Sequence, residues 1–175
     1  MQDCCIKEIK RGRSPKYANQ GHVLSFAQKC NQKSGTINIS LALWIDDDSV
    51  GRYTADEYLC DCDIVINSTG TGTLGRVGIY HELDNTMATP IVPDSHVTVV
   101  RVSEHVDPLY AFSFLKAIQA RLEDMGEGST NQKELKPLSI QNIHFPIPPF
   151  AEQNAISKRI TEIFSYMAHI ENELL

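Results

Sequence analysis

The sequence lacks long apolar runs, paired cysteine motifs and an excess of positive charge. No apolar stretch approaches the roughly 18 uninterrupted residues that a membrane-spanning helix needs. The first residues, MQDCCIKEIKRGRSPKY, contain no apolar core of a secretion signal. With 175 residues, 42% of them apolar, the composition fits one folded domain and does not fit a disordered chain. A cytoplasmic protein is the simplest expectation.

The five cysteines form no recognisable disulfide or zinc framework. Their number is odd, and no pair has the C-x-x-C spacing. Cys60 and Cys62 could place two thiols on one face of a strand, but unpaired thiols are the favoured interpretation. The six histidines include no H-x-x-x-H pair. No metal site is therefore predicted.

The net charge of −6 argues against a protein that wraps nucleic acid without regard to sequence. The charge is unevenly distributed along the chain. Residues 1–33 carry seven Lys or Arg against two acids, whereas residues 34–66 carry one against seven. A local basic surface would suit a protein that contacts phosphate on one side only. A solvated basic segment explains the same asymmetry equally well.

Apolar alternation with a period near two predicts a β-rich domain. The predicted strands are INISLALWI (37–45), DIVINS (63–68), GRVGIY (75–80) and HVTVVRV (96–102). In the last of these, Val97 and Val99 should face one way, and Val100 and Val102 the other.

One helix is predicted after these strands. Asp107 is a good N-cap, Pro108 would occupy the first helical position, and Gly126 would supply a left-handed C-terminal cap. The apolar stripe between them consists of Leu115, Ile118, Leu122 and Met125. The segment IHFPIPPF (143–150) is strand-like, but its prolines exclude a central position in a sheet.

The last segment has the a/d spacing of a coiled-coil seam. Its apolar residues, spaced 4, 3, 4, 3 and 4 apart, are Ile156, Ile160, Ile163, Met167, Ile170 and Leu174. A helix beginning at Phe150 would be roughly 38 Å long. We expect a second helix to pair with it, and the alternative is packing on its own domain alone. The expected organisation is a domain over 1–149 followed by a dimerisation or spacer helix over 150–175.

The glycine-rich stretch GTGTLG (70–75) matches the pattern G-x-G-x-x-G. A dinucleotide site requires a helix after the third glycine, but RVGIYHE follows, which favours a strand. A P-loop requires Lys and Ser or Thr where Arg76 and Val77 stand. A tight hairpin turn is therefore predicted, with short polar side chains suited to phosphate contact. The alternative is a turn that only reverses the chain.

Four motifs in one order resemble those of a known family. They are CDIVINSTGTGTLGRVG (62–78), DSHVTVVR (94–101), GSTNQKEL (128–135) and IQNIHFPIPPFAEQNAI (140–156), and GRSPKY (12–17) is similar to an opening motif. Together they resemble a target recognition domain of a Type I restriction-modification specificity (S) subunit.

The resemblance implies an α+β fold, with a mixed or antiparallel β-rich recognition domain, a few helices and a long C-terminal coiled-coil-type helix. It also implies a non-catalytic DNA-binding adaptor that reads one half of a bipartite double-stranded target. The methyltransferase (modification) subunit and the restriction subunit would be partners, carrying S-adenosylmethionine, ATP and Mg²⁺. A full specificity subunit has two such domains and two long helices. This chain resembles one half, and a homodimer or pairing with a second half-subunit is expected.

Three polar segments are the candidate DNA-binding residues. They are Arg11, Arg13, Ser14, Lys16 and Tyr17; Asn67, Ser68, Thr69, Thr71, Thr73 and Arg76; and Ser129, Thr130, Asn131, Gln132 and Lys133. Basic and hydroxyl side chains suit phosphates, while Asn131, Gln132 and Arg13 are candidates for base edges. The stretch SHVT (95–98) is favoured as a core strand over a DNA contact.

Two other classes of function stay open. An enzyme would need its own catalytic site, but no methyltransferase N-P-P-[FY] tetrapeptide occurs, since Ile147 precedes Pro148-Pro149-Phe150. The recognition domain of a single-chain restriction-modification enzyme is a related alternative. A purely structural interaction module is the other.

Overall fold

The computed structural model describes residues 1–129 and 133–173. The strands are β1 (Lys10–Arg11), β2 (Leu24–Phe26), β3 (Leu43–Trp44), β4 (Ile64–Asn67), β5 (Val77–Ile79), β6 (Ile91–Pro93) and β7 (Val97–Val100). The α-helices are α1 (Asp47–Val50), α2 (Pro108–Ala117), α3 (Gln119–Asp124), α4 (Pro137–Gln141) and α5 (Phe150–Glu173). Within these two ranges, no helix has the length and apolarity to cross a membrane.

The strands form two sheets. The four-stranded sheet has the order β1-β7-β4-β5 and is antiparallel throughout. The three-stranded sheet has the order β3-β2-β6, with β2 antiparallel to β3 and parallel to β6. The predicted α+β class, with mixed and antiparallel sheets and a long final helix, is confirmed.

The central strands β4 and β7 are buried on both faces. Ile64 pairs with Val100, and Val65 pairs with Val99. Because side chains alternate along a strand, Ile64 and Val100 face one core while Val65 and Val99 face another. The alternation predicted for residues 97–102 is therefore confirmed.

Each core is closed by a different layer. Ala111 and Leu115 of α2, with Leu122 of α3, cover the face that includes Ile64. The three-stranded sheet covers the other face, mainly through Leu24 and Phe26 of β2. Full burial of one such aliphatic side chain stabilises the fold by about 1.5–3 kcal/mol. The four-stranded sheet is thus the middle of three layers.

The helix predicted from Asp107 begins as expected but is interrupted. Asp107 Oδ1 accepts a hydrogen bond from the Tyr110 backbone N–H at 2.7 Å, and Pro108 is the first helical residue. Ile118, with φ −96° and ψ 15°, separates α2 from α3. At this break the side chain of Gln119 accepts a hydrogen bond from Val77 N–H of β5 at 3.0 Å. Local periodicity does not encode this tertiary contact.

The predicted cap at Gly126 is wrong, because this glycine does not adopt the left-handed conformation. A Cβ at this position would lie 2.4 Å from Leu74 Cδ2. The glycine therefore permits the close approach of Leu74, which is buried in the helical core.

The strand predicted over 37–45 forms only at Leu43–Trp44. A 3-10 turn over Ile39–Leu41 precedes it, because the Asn38 side chain accepts a hydrogen bond from Ser40 N–H at 3.1 Å. Asparagine side chains favour such turns over a sheet ladder.

The proline-rich segment 143–149 forms no strand. Instead, Phe145 packs its ring against Tyr110 and Phe114, with centroids 5.5 and 5.2 Å apart. The Tyr110 hydroxyl donates a hydrogen bond to the Pro146 carbonyl at 3.1 Å. These contacts fix the approach to α5, whose predicted start at Phe150 is confirmed.

We predict that Leu115→Ala destabilises the domain by about 2–5 kcal/mol, because it opens a cavity between α2 and the four-stranded sheet. Leu83→Ala is the matched control, since Leu83 is 92% exposed and should change stability by less than about 0.5 kcal/mol. Urea denaturation followed by circular dichroism measures both. Equal midpoints for the two variants would contradict the layer assignment.

Candidate nucleic-acid interface

One end of the four-stranded sheet collects the first two predicted segments and the described residues around the third. Antiparallel pairing places the C-terminal ends of β1 and β4 beside the N-terminal ends of β5 and β7. The segments that leave or enter these strands therefore meet at the same edge. We call this group the loop cluster: residues 11–17, 67–76 and 94–96, with the described residues of 127–134.

The first segment lies against the turn between β6 and β7. Arg13 forms a parallel bridge with Asp94, and Ser14 Oγ lies 2.9 Å from Ser95 Oγ. Farther along, Tyr17 forms an antiparallel bridge with Ile45 and is 46% exposed. Residues far apart in sequence thus hold this segment in place.

The second segment is the glycine-rich turn, and its backbone explains the glycines. Gly70, Gly72 and Gly75 have φ values of 105°, 73° and 73°, in the region that favours glycine. A Cβ at Gly75 would also lie 2.7 Å from the Glu123 backbone nitrogen of α3. The C-terminal end of the turn therefore packs directly against α3.

The hairpin predicted for this segment is confirmed, because β5 follows the turn and pairs antiparallel with β4. A dinucleotide site or a P-loop would need a helix there. In the described part of the chain the turn leads directly into a strand, so neither nucleotide-binding arrangement is formed by these glycines.

Two predicted contact residues of this segment have internal roles. Asn67 and Ser68 are fully buried. The Asn67 amide donates a hydrogen bond to the Gln28 carbonyl at 3.1 Å, and Ser68 Oγ lies 2.5 Å from Thr98 Oγ1. Their prediction as DNA contacts is corrected on this ground: both side chains hold the base of the turn.

The threonines lie closer to the surface. Thr71 is exposed, whereas Thr69 and Thr73 are half-buried. Thr69 Oγ1 lies 2.7 Å from His96 Nδ1. The turn thus carries one freely accessible hydroxyl and two that are partly engaged.

The third segment is joined to the second by backbone pairing. Glu134 forms bridges with Thr69 and with Glu127, and Leu135 N–H donates to the Ser68 carbonyl at 2.8 Å. Ser129 and Lys133 are exposed. The predicted contacts Thr130, Asn131 and Gln132 lie outside the described residues.

The three predicted cations of the first segment each pair with a carboxylate. Arg11 contacts Glu134 of the third segment. Arg13 Nε lies 2.8 Å from Glu57 Oε1, and Lys16 Nζ lies 2.9 Å from Asp46 Oδ2. A DNA phosphate would have to displace the carboxylate from each cation before it could form a full ion pair with that cation.

The Lys16–Asp46 pair also changes the ionisation of its members. The hydrogen bond from Lys16 lowers the pKa of Asp46 below its usual value and raises the pKa of Lys16 above its own. Both groups are therefore charged across the neutral range. Because the pair is solvent-exposed, its contribution to stability is small.

Arg76 is held differently. Its guanidinium donates to the Asn31 carbonyl at 2.9 Å and to the Gly72 carbonyl at 3.3 Å. Among residues 1–129 and 133–173, no carboxylate forms an ion pair with it. No carboxylate of these ranges therefore neutralises its positive charge, although hydrogen bonds to two backbone carbonyls fix the position of the side chain.

Sequence reasoning missed three polar residues of this region. Gln28 accepts a hydrogen bond from Thr69, and buried Asn31 donates to the Arg76 carbonyl at 2.9 Å. His96 is exposed beside Thr69. The stretch SHVT is thus divided, with Ser95 and His96 in the loop cluster and the next two residues in the core. The one sequence signal for this division is the start of the apolar strand pattern at residue 97.

Helix α5 is anchored at its N-terminal part and exposed beyond it. Asp107 N–H donates to Gln153 Oε1 at 2.9 Å, and Ser157 Oγ donates to Asp107 Oδ1 at 2.7 Å. Ile156 and Ile160 of the predicted seam are partly buried. The later residues Ile163, Met167 and Ile170 are 44%, 50% and 55% exposed, and Leu174 lies outside the described residues.

The profile of one protein family, described as the Type I restriction modification DNA specificity domain, matches residues 8–175. The chain belongs to this family. The resemblance drawn from the four motifs is therefore confirmed. No curated protein matches this specificity domain significantly.

Three solved structures have a similar fold. The first is described as "Structural basis underlying complex assembly and conformational transition of the type I R-M system", with TM-score 0.72, 15% identity and 98% of this chain covered. The second is the HsdS subunit from Thermoanaerobacter tengcongensis, with TM-score 0.69, 15% identity and 98% coverage. The third is a Type-I restriction-modification system S subunit from M. genitalium, with TM-score 0.57, 13% identity and 94% coverage.

The specificity domain spans 38% of the length of each of these three chains. At 13–15% identity the comparison shows a shared fold. Individual contact residues do not transfer from it.

We predict that Gly75→Ala destabilises the specificity domain by about 1–3 kcal/mol, because its left-handed backbone and its approach to Glu123 both oppose a Cβ. Gly51→Ala is the control, since open space surrounds Gly51 at φ −60°. That substitution should be neutral or stabilise by up to about 1 kcal/mol. Thermal melts of both variants test the difference, and a stability loss shared by both would contradict it.

Proposed function

We propose that this specificity domain reads a short DNA sequence through the loop cluster, as one half of a bipartite target. One observation supports the proposal above all: polar segments from three distant parts of the chain converge at one end of a rigid sheet. Loops held on a rigid scaffold suit recognition, because their side chains can vary without disturbing the core.

Phosphate contacts would set the position of the domain on the duplex. Arg11, Arg13 and Lys16 would exchange their carboxylate partners for phosphates, while Arg76 would contribute a charge that is already available. Further contacts would come from short or exposed polar side chains, namely Ser14, Tyr17, Thr69, Thr71, Thr73, Ser129, Thr130 and Lys133. Such contacts carry affinity and little sequence information.

Base reading would come from side chains that make paired hydrogen bonds in the major groove. Asn131 and Gln132 suit adenine, and Arg13 suits guanine. For Arg13 to reach a base, it would have to leave Glu57, which lies 2.8 Å away. For Asn131 and Gln132 this assignment rests on side-chain chemistry, and for Arg13 it rests also on the place of this residue in the loop cluster.

The chemistry of restriction and modification would belong to partner subunits. We propose that the methyltransferase subunit binds S-adenosylmethionine and that the restriction subunit uses ATP and Mg²⁺. The part over 1–149 would read DNA in the cytoplasm, and the helix over 150–175 would act as spacer and docking element. The isolated chain should then bind no S-adenosylmethionine.

The exposed apolar row of α5 supports pairing with a second helix. Ile163, Met167 and Ile170 continue the spacing of the partly buried Ile156 and Ile160. The partner would be an identical copy or a second half-subunit. Two recognition domains would then stand a fixed distance apart, as a two-part site requires.

A second candidate function is an interaction module that does not bind DNA by itself. The three ion pairs of the first segment favour this candidate, since each carboxylate neutralises a cation that would otherwise attract phosphate. An electrophoretic shift assay with mixed-sequence DNA at low salt separates the candidates. No shift, even with the methyltransferase subunit present, would support the interaction module.

We predict opposite effects from the two members of one ion pair. Lys16→Ala should weaken binding to all DNA sequences and lower the salt slope by about one, because a phosphate contact is lost. Asp46→Asn should strengthen non-specific binding, because Lys16 is freed while an amide oxygen can still accept the Asp48 N–H. Arg76→Ala should act like Lys16→Ala. Fluorescence anisotropy across a salt series measures affinity and slope together.

Arg159→Ala on α5 is the matched charge control, and its affinity and slope should equal those of the wild type. If Lys16→Ala and Arg76→Ala also behaved like the wild type, their proposed phosphate contacts would be wrong.

We predict that replacing both Ile163 and Met167 with Asp gives a monomer in light scattering at micromolar concentration, because the charges disrupt the apolar seam. The control replaces Ser165 and Ala168 with Asp on the other side of α5, and it should keep the wild-type mass. Identical masses for the seam variant and the wild type would refute pairing through this row.

A further inference from the structure

Three metal-ligating side chains meet at the end of the β4–β5 hairpin opposite the loop cluster. Asp61 and Cys62 precede β4, and His81 follows β5. Two backbone hydrogen bonds extend the hairpin to this point: Cys62 N–H donates to the Tyr80 carbonyl, and Tyr80 N–H donates to the Asp63 carbonyl, both at 2.8 Å. The hairpin therefore brings residues 62 and 81 side by side, although 18 residues separate them in the chain.

One donor atom from each of the three side chains lies within 4.8 Å of the other two. Cys62 Sγ lies 3.2 Å from Asp61 Oδ2 and 3.9 Å from His81 Nδ1, and His81 Nδ1 lies 3.4 Å from Asp61 Oδ1. Tetrahedral zinc, with bonds of about 2.0–2.3 Å, places neighbouring ligand atoms roughly 3.3–3.6 Å apart. An ion could therefore bind with small side-chain movements.

Two features orient the group before any ion binds. Asp61 Oδ1 accepts a hydrogen bond from the Glu82 backbone N–H at 3.0 Å, which directs the carboxylate toward His81. Cys62 has φ 65°, an uncommon conformation for a residue with a side chain, and the hairpin hydrogen bond at its N–H holds it there. Local constraints thus converge on these side chains.

We propose that Asp61, Cys62 and His81 form a site for a divalent transition metal of the zinc class. Sulfur, nitrogen and oxygen ligands together suit zinc, and three protein ligands leave one position for water. The Asp61 and His81 side chains are 55% and 44% exposed, so an ion can enter from solvent. The ion would join the two strands of the hairpin that carries the second segment of the loop cluster.

This proposal revises the prediction that the chain has no metal site. That prediction relied on C-x-x-C and H-x-x-x-H spacings, and the present group uses neither. Among residues 1–129 and 133–173, it is the one group of three potential ligands whose donor atoms lie within 4.8 Å of one another. Its ligands are adjacent only because β4 and β5 pair.

Cobalt titration of the full chain without an affinity tag tests the site. Co²⁺ should bind at one equivalent and produce a thiolate-to-cobalt charge-transfer band. Cys62→Ser should abolish the band. Asp61→Asn and His81→Ala should each lower the affinity by more than about tenfold, because each alters a direct ligand and loss of even an outer-shell partner costs about tenfold to 100-fold. Cys60→Ser is the matched control, because Cys60 lies outside the group with its thiol directed to the Tyr58 carbonyl. It should bind cobalt like the wild type.

A thermal melt supplies a second readout. Zn²⁺ should raise the melting temperature of the wild type and of Cys60→Ser, but not that of Cys62→Ser, because binding to the folded state stabilises it. Metal-free circular dichroism confirms that each variant is folded. Absence of the charge-transfer band in the wild type, or equal loss of binding in Cys60→Ser and Cys62→Ser, would overturn the proposal and leave the DNA-binding proposal untouched.

Discussion

The burial of β4 and β7 on both faces is the constraint on which the rest of the structure depends. Their alternating side chains join a helical layer to a second sheet, so neither strand can shift register without moving apolar side chains out of both cores. The polar segments of the loop cluster are consequently confined to one end of the sheet. The side chains that we propose for recognition are therefore separate from those that form the two apolar cores.

The loop cluster combines a buried polar base with a charged surface. Asn31, Asn67 and Ser68 make hydrogen bonds inside the domain, which fixes the turn that they support. The three cations of the first segment form ion pairs with carboxylates from other parts of the chain. Such an arrangement would limit attraction to arbitrary DNA and favour binding where further contacts compensate for the exchanged ion pairs.

Sequence patterns predicted the elements with strong local signals. The strands around 64–67 and 97–100 are rich in β-branched residues, and the helix beginning at Phe150 has regular apolar spacing. Local side-chain hydrogen bonding by Asn38 shortened the strand expected over 37–45. The break at Ile118 coincides with a tertiary contact made by Gln119. Periodicity carries no information about either interaction.

The candidate sites were predictable only in part, for a similar reason. The glycine and hydroxyl residues of the turn suggested a polar surface, but the burial of Asn67 and Ser68 depends on how the turn packs against residues 28–31. The ion pair between Arg11 and Glu134 joins residues 123 positions apart. Contacts over such separations follow from the completed fold.

Methylation sequencing of cells that carry this chain with the proposed modification subunit tests the central claim most directly. Residues 128–133 would be exchanged for the equivalent segment of another specificity domain, while the sheet and α5 stay unchanged. We predict that the half of the methylated sequence read by this chain changes, or both halves if the partner is an identical copy, and that the spacing between the halves is retained. A methylated sequence identical to that of the unaltered chain would contradict it.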